Sequence, residues 1–441
     1  MDRCAPEILH HIFKRLQSPS EITALRLAGR KYATVGAEYL APRVRFHASK
    51  SSVERLNAFM QHPVFRQHVQ SLVFEGSLLL PPGCIHWFCS LPLINDDHPS
   101  APPADASVRT RRLYERNLAK WEAEAEEKYE RYCSLYSAQR ELIKSNLFQD
   151  TISQCAKAFP HLKEVLLVNV ARCTLHLPQQ FVNDFDISNL LLLESSANFT
   201  AGQLQQLEQL LCIQQEPVMG LTRLQAKVLD PRFFLNPATT AKIGRAFASL
   251  KHLKLTFRMN YEDEEACGLS AHPVYEQFNS SNIGRVLAAA TELEQLYISF
   301  HERGPPIAKL DDIVGNISWP KLTKLEVEFV TIDSADSLIA ILQRQPSLKT
   351  LSIAWAQLLR DTWATAVTNM RRSLDLDLFY AGGLLIDDTI WDTERVNAEW
   401  LRESGESIQM MNALDLYVTE KNTAEEDDEI FNPFLSEWID E

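Results

Sequence analysis

The segment PEILHHIFKRL places Ile8, Leu9, Ile12, Phe13 and Leu16 at spacings of one, three and four, which predicts an amphipathic helix. Pro6 suits its first turn, where a missing N–H costs nothing, and Glu7 favours the positive end of the helix dipole. The apolar stripe is wider than one small core needs, so part of it is left to meet another surface. Ser18, Pro19 and Ser20 interrupt the helix. Ser20 can cap a second helix from Glu21 that carries Ile22, Leu25 and Leu27, and a third runs from Ala33 to Leu40 before Pro42. Three helices in about forty residues are marginal alone.

A second pattern, apolar-x-x-apolar-x-apolar, recurs along the chain. It reads Val69/Leu72/Phe74, Leu162/Val165/Leu167, Ile187/Leu190/Leu192, Leu250/Leu253/Leu255, Leu293/Leu296/Ile298, Leu322/Leu325/Val327 and Leu348/Leu351/Ile353. Leu221/Leu224/Ala226 is a weaker copy and Leu374/Leu376 a half-match. Most steps between middle positions, from 23 to 34 residues, fit one strand plus one helix, the repeat length of leucine-rich repeats. The gaps hold helical patterns, TAGQLQQLEQLLCI, PATTAKIGRAFASL, SNIGRVLAAATEL and SADSLIAILQRQPSL. The expected fold class is therefore α/β: an N-terminal helical trio followed by an irregular leucine-rich-repeat-like solenoid, with helices on the convex side and strands lining a concave one. An ordinary α/β sheet with uneven spacing is the alternative. Alternation along the strands turns Lys254 and Thr256, Tyr297 and Ser299, Glu326 and Glu328, Ser352 and Ala354, and Asp375 and Asp377 to the concave side. Lys254, Tyr297, Glu326, Glu328, Asp375 and Asp377 are the candidate target-binding residues among these; a simply solvated strand face is the competing reading.

The long step after Leu72 holds the Pro-rich stretch HPSAPPADAS and then a long charged helix. Tyr114, Leu118, Trp121, Ala125, Tyr129, Tyr132 and Tyr136 form one stripe along it, expected to pack against the solenoid, with a protein-docking helix as the alternative. NYEDEEACGLSAHPVYEQFNS reads as a protruding acidic loop, and AEEDDEIFNPFLSEWIDE as a tail that either awaits a partner or caps the last repeat. The division is 1–47, 48–91, 92–148, 149–418 and 419–441: helical trio, linking helix and first strand, insertion, solenoid and tail.

Composition narrows the function. Lys and Arg number 44 against 58 Asp and Glu, a net charge of −14 that opposes nucleic-acid binding. No apolar run approaches a membrane span and the first residues lack a signal-peptide core, so no membrane role is expected and the compartment is cytosol or nucleus. Eight scattered cysteines read as reduced thiols, and the sequons at 198, 279 and 316 as chance matches. Cys84-x-His86-x-x-Cys89 lacks a fourth ligand for zinc, and adjacent His10 and His11 point about 100° apart on a helix. No phosphate-binding Gly-rich loop, G-x-S-x-G elbow or H-E-x-x-H is present. No enzyme activity, catalytic residue, metal or cofactor is expected.

Pro6-Glu7-Ile8, Ile12-Phe13, Leu16, Leu25, Leu27, Arg30 and aromatic Tyr32 resemble the F-box, a three-helix module, over about residues 4 to 47. SSVERLNAFMQHPVFRQHVQSLVFEG after it is similar to F-box proteins of filamentous fungi. Departures are Ala5 where the family prefers Leu, Gly29 for Cys, Glu21-Ile22 for Asp-Leu and Tyr32 for Trp. The resemblance implies docking to a Skp-type adaptor of a cullin ubiquitin ligase through Pro6, Glu7, Ile8, Leu9, Ile12, Phe13, Leu16, Leu25 and Leu27, and an unknown protein target held for ubiquitination by the solenoid. A repeat scaffold without ligase role, and an enzyme with an unrecognised thiol or carboxylate site, are the competing classes.

Overall fold

The computed structural model describes residues 5–16, 18–40, 42–76, 78–79, 81–90, 98–168, 220–229, 234, 237–257, 282–300, 308–387, 390–392, 410–420 and 433–435. The fold is mixed α/β, and the chain divides into two compact units, residues 1–160 with 168–209 and residues 161–167 with 210–441.

The first unit opens with α1 (Pro6–Arg15), α2 (Pro19–Leu27) and α3 (Arg30–Leu40). The second helix starts earlier than the Ser20 cap would allow, because Ser18 satisfies more of its free amides. Its hydroxyl accepts from Glu21 N at 3.2 Å, and Glu21 Oε2 accepts from Ser18 N at 3.1 Å, a reciprocal capping box. The third helix also begins earlier than expected, at Arg30 rather than Ala33. Leu9, Phe13, Ile22 and Tyr32 form the buried core of the trio, with Leu16, Leu25, Val35, Tyr39 and Leu40 packed around it.

Parallel strands β1 (Arg43–His47) and β2 (Ser71–Glu75) follow, joined through α4 (Lys50–Gln61), and Phe46 pairs with Phe74 both in register and by ring contact at 4.9 Å. Then come α5 (Ile85–Cys89), the long α6 (Val108–Lys144) and α7 (Asn146–Ala158). The aromatic stripe of α6 is its packed side. Tyr132 is buried, Tyr129 donates to Gly83 O at 2.7 Å, and Phe88 of α5 meets both rings at 5.4 and 5.8 Å. Within this unit the stripe meets the short α5 segment and, through His98 against Trp121 at 4.6 Å, the Pro-rich stretch.

That Pro-rich stretch, 98–107, is largely exposed and has no helix or strand. A broad-specificity protease is expected to cut first there, since loops without a hydrogen-bonded ladder open most readily. Mass spectrometry of the early fragments checks this; a first cut between Leu250 and Leu351 would contradict it.

The second unit contains β3 (Glu164–Val168, all but its last residue), β4 (Arg223–Leu229), α8 (Pro237–Phe247), β5 (His252–Phe257), α9 (Asn282–Ala288), β6 (Gln295–Ser299), β7 (Ala308–Lys309) and α10 (Leu310–Val314). It continues with β8 (Lys324–Ile332), α11 (Ala335–Gln343), β9 (Thr350–Leu358), α12 (Trp363–Ser373), β10 (Leu378–Ile386), β11 (Ile390–Asp392) and α13 (Met410–Thr419). From β3 to β10 the strands lie parallel in chain order, with the short β7 set beside β8, and β11 turns back antiparallel to β10.

The repeated leucines explain the register. Leu224, Leu253, Leu296, Leu325, Leu351 and Phe379 stand side by side, and Ala226, Leu255, Ile298, Val327, Ile353 and Ala381 form the next row. All twelve are buried, so each strand turns alternate residues into one shared core. A backbone ladder enters the sheet just before the strands: Lys251 N donates to Thr222 O, Glu294 N to Lys251 O, Thr323 N to Glu294 O, Lys349 N to Thr323 O and Asp377 N to Lys349 O.

This ladder corrects the last repeat. Leu374 is the C-cap of α12, and Phe379, 28 residues after Leu351, takes the core position assigned to the Leu374/Leu376 half-match. Ile187/Leu190/Leu192, the helical pattern at 200–213, the acidic loop at 260–280 and the tail from 421, apart from Pro433–Leu435, lie outside the described residues.

Candidate functional site

Each unit carries one candidate surface. On the helical trio, the nine proposed contact residues separate into two sets. Leu9 and Phe13 are buried, and Leu16 and Leu25 are half-buried against the same core. Pro6, Glu7, Ile8, Ile12 and Leu27 face outward, with Ile8 51 %, Ile12 39 % and Leu27 84 % exposed. Ile8 and Ile12, four residues apart, share one side of α1. The core therefore consumes only part of the apolar stripe.

The inner side of α1 is fixed by close contacts. Phe13 stacks on Tyr39 at 5.6 Å, and His10 Nδ1 lies 2.9 Å from the Tyr39 hydroxyl. Burial, and then the neighbouring Glu38 charge, push the Tyr39 phenol above its ordinary value. Gly36 permits the helices to meet: a Cβ there would lie 2.6 Å from the Phe13 ring and 2.5 Å from Arg26 Cγ. Gly36→Ala is expected to destabilise the trio by about 1–3 kcal/mol, because the stacked ring cannot yield freely. Faster hydrogen exchange at the α1–α3 amides is the readout; unchanged exchange would show that Phe13 repacks without penalty.

In the second unit one sheet face is core, while the other is only partly covered. Lys254, Tyr297 and Glu326 stand adjacent in register and help line a cleft of about 220 Å³. Lys254 Nζ sits 3.7 Å from the Tyr297 ring centroid, and the Tyr297 hydroxyl donates to Glu328 Oε2 at 2.6 Å. Burial, followed by the Glu328 contact, drives the Tyr297 phenol well above its usual range. Lys324 pairs with Glu326. Four of the six proposed target-binding residues thus come together.

Asp375 and Asp377 do not join them. They precede β10, are exposed, and pair with Lys349 at 2.7 and 3.7 Å. Asp377 occupies the ladder position of Lys349, not an outward strand position, because the strand starts later than the half-match implied. Ser299 and Ala354, also assigned outward, are covered.

The sequence pattern missed the irregularity of the adjoining strands. Phe329 (φ 58°), Trp355 (φ 51°) and Gly383 (φ 66°) adopt left-handed backbone on neighbouring strands β8, β9 and β10. They follow Glu328, Ala354 and Gly382, which are aligned in register. The inserted residue reverses the alternation: Leu325 and Val327 face the core before it in β8, but Val330 and Ile332 after it. Left-handed geometry at an aromatic residue costs about 1–3 kcal/mol and is retained where the surroundings enforce it. Here Phe329 and Trp355 stack at 5.5 Å with an interplanar angle of 11°, and the indole lies so close over Gly383 that a Cβ there would be 2.4 Å from Nε1. Trp355 is 38 % and Tyr380 44 % exposed. The Gly382-Gly383 pair was the sequence signal for this feature.

Among the described residues, no group of three His, Cys, Asp or Glu side chains is placed to hold a metal ion, and no helix is long and apolar enough to cross a membrane. Cys155 is fully buried, donates to Thr151 O at 3.3 Å, and burial raises its thiol to about 12, which keeps it protonated and poorly nucleophilic. No protein-family model matches the chain, and no curated protein matches it.

Proposed function

We propose that this chain is the substrate-recognition subunit of a Skp–cullin–F-box ubiquitin ligase, acting in cytosol or nucleus. The helical trio docks a Skp-type adaptor, and a leucine-rich-repeat-like solenoid presents its open strand face to a protein target. The carrying observation is the exposure of Ile8, Ile12 and Leu27 around an already complete core, in the segment whose residues resemble the F-box. A helix that merely capped a larger domain would turn such residues inward.

The solenoid reading draws support from strands laid in chain order, with a helix between each pair of neighbouring parallel strands from β4 to β10, and from the recurring backbone ladder. In this mechanism the chain performs no bond chemistry; it holds the target beside a ligase supplied by other subunits. Affinity capture of the intact chain followed by mass spectrometry tests the reading. Recovery of a Skp-type adaptor and a cullin is expected. Recovery of other partners without either would favour a repeat scaffold with no ligase role.

A further inference from the structure

We infer that the open face formed by β8, β9 and β10 binds an arginine-bearing segment of a partner protein, with the guanidinium held between the Glu328 carboxylate and the Trp355 indole. Calling that partner the ubiquitination target rests on the function proposed above; the binding chemistry does not.

Glu328 supplies the charge. Among the described residues its side chain is hydrogen-bonded by the neutral Tyr297 hydroxyl and has no cationic partner, whereas neighbouring Glu326 is paired with Lys324. Lys254 is engaged on the Tyr297 ring at 3.7 Å. A half-buried carboxylate so placed retains acceptor capacity on a surface from which water is partly excluded.

The aromatic groups supply the second element. Glu328 is the register partner of Ala354, so Phe329 and Trp355 follow directly on adjacent strands. Phe329 is buried and stacks against Trp355, so the exposed rings here are the Trp355 indole and Tyr380 on β10. A planar cation matches both elements at once. Guanidinium forms a forked pair with carboxylate and stacks on an indole face, whereas an ammonium offers only a point charge.

The test uses the full chain labelled with 5-fluorotryptophan. The Trp355 signal, one of eight tryptophans, is identified by its loss in Trp355→Phe. The probes are acetyl-Gly-Arg-Gly-amide and its citrulline counterpart, which keeps the shape but lacks the charge. A saturable shift of the Trp355 resonance with the arginine probe is expected, with little response to citrulline. Glu328→Gln, which preserves an acceptor for Tyr297, is expected to weaken binding by about fivefold to tenfold.

Equal responses to both probes, or no saturable shift, would overturn the inference. Arg303→Ala is measured in parallel, since Arg303 lies on the segment between β6 and β7, outside the described residues. Binding confined to that variant would show Glu328 occupied from within the chain and would also overturn it. Arginine binding without adaptor capture would uphold this site while removing the ligase reading; adaptor capture without a probe response would do the reverse.

Discussion

Leu296→Asp is expected to unfold the second unit, while Tyr297→Asp, one residue further on, leaves it folded. Leu296 is 1 % exposed and stands between Leu253 and Leu325 in the continuous inward row. An aspartate there removes a buried leucine and places an unpaired charge in the core, a loss of more than about 4 kcal/mol against a typical domain stability of about 5–15 kcal/mol. Tyr297 faces the other side of the sheet. Its replacement loses the Lys254 ring contact and the Glu328 hydrogen bond, but Lys254 remains close enough to pair with the new carboxylate. The expected loss is about 1–2 kcal/mol. Urea titrations followed by circular dichroism distinguish the two, and equal destabilisation would mean that the inward and outward faces are wrongly assigned.

The alternation carrying that prediction was legible because one buried face imposes a strict period of two. Leu253/Leu255, Leu296/Ile298, Leu325/Val327 and Leu351/Ile353 all follow it, and even the weaker Leu224/Ala226 occupies its place in the sheet. The pattern failed where a backbone irregularity or a helix end intervened. Leu374 imitates a strand position but caps a helix, so the reading of β10 began too early and misplaced Asp375 and Asp377. Phe329 and Trp355 look like ordinary strand residues in sequence; their left-handed geometry accompanies the stacking of the two rings and the close approach of the indole to Gly383.

Helix ends were legible only approximately. Ser18 and Ser20 are both acceptable caps by residue type, and the choice fell to Ser18 because Glu21 is three residues away and closes the capping box. Caps supplied from the following strand end were not legible at all. Asp361 accepts from Ala335 N at 3.1 Å and Asp387 from Trp363 N at 2.8 Å, contacts that depend on how consecutive strands and helices align. On α1, by contrast, the excess width of the apolar stripe is itself the sign of an outward face.

That outward face yields the second large effect. Ile8→Asp combined with Ile12→Asp is expected to abolish adaptor binding with little change in folding. Both side chains are substantially exposed, and the core of the trio is built from Leu9, Phe13, Ile22 and Tyr32 instead. A specific interface buries more than about 1,000 Å², and a central apolar anchor commonly contributes about 2 kcal/mol or more. Two carboxylates forced into such a contact would lose both anchors and add desolvation, a weakening of at least about a thousandfold. Phe13→Ala should behave differently, lowering stability by about 3–5 kcal/mol through a cavity in the core.

The most direct measurement is calorimetric titration of a purified Skp-type adaptor into the intact chain and into the Ile8→Asp/Ile12→Asp variant, with matched melting curves. Saturable binding to the unmodified chain, lost in a variant that melts at the same temperature, is the expected result. No binding to the unmodified chain, or equal affinity for the variant, would contradict the assignment of the N-terminal helices as an adaptor-docking module.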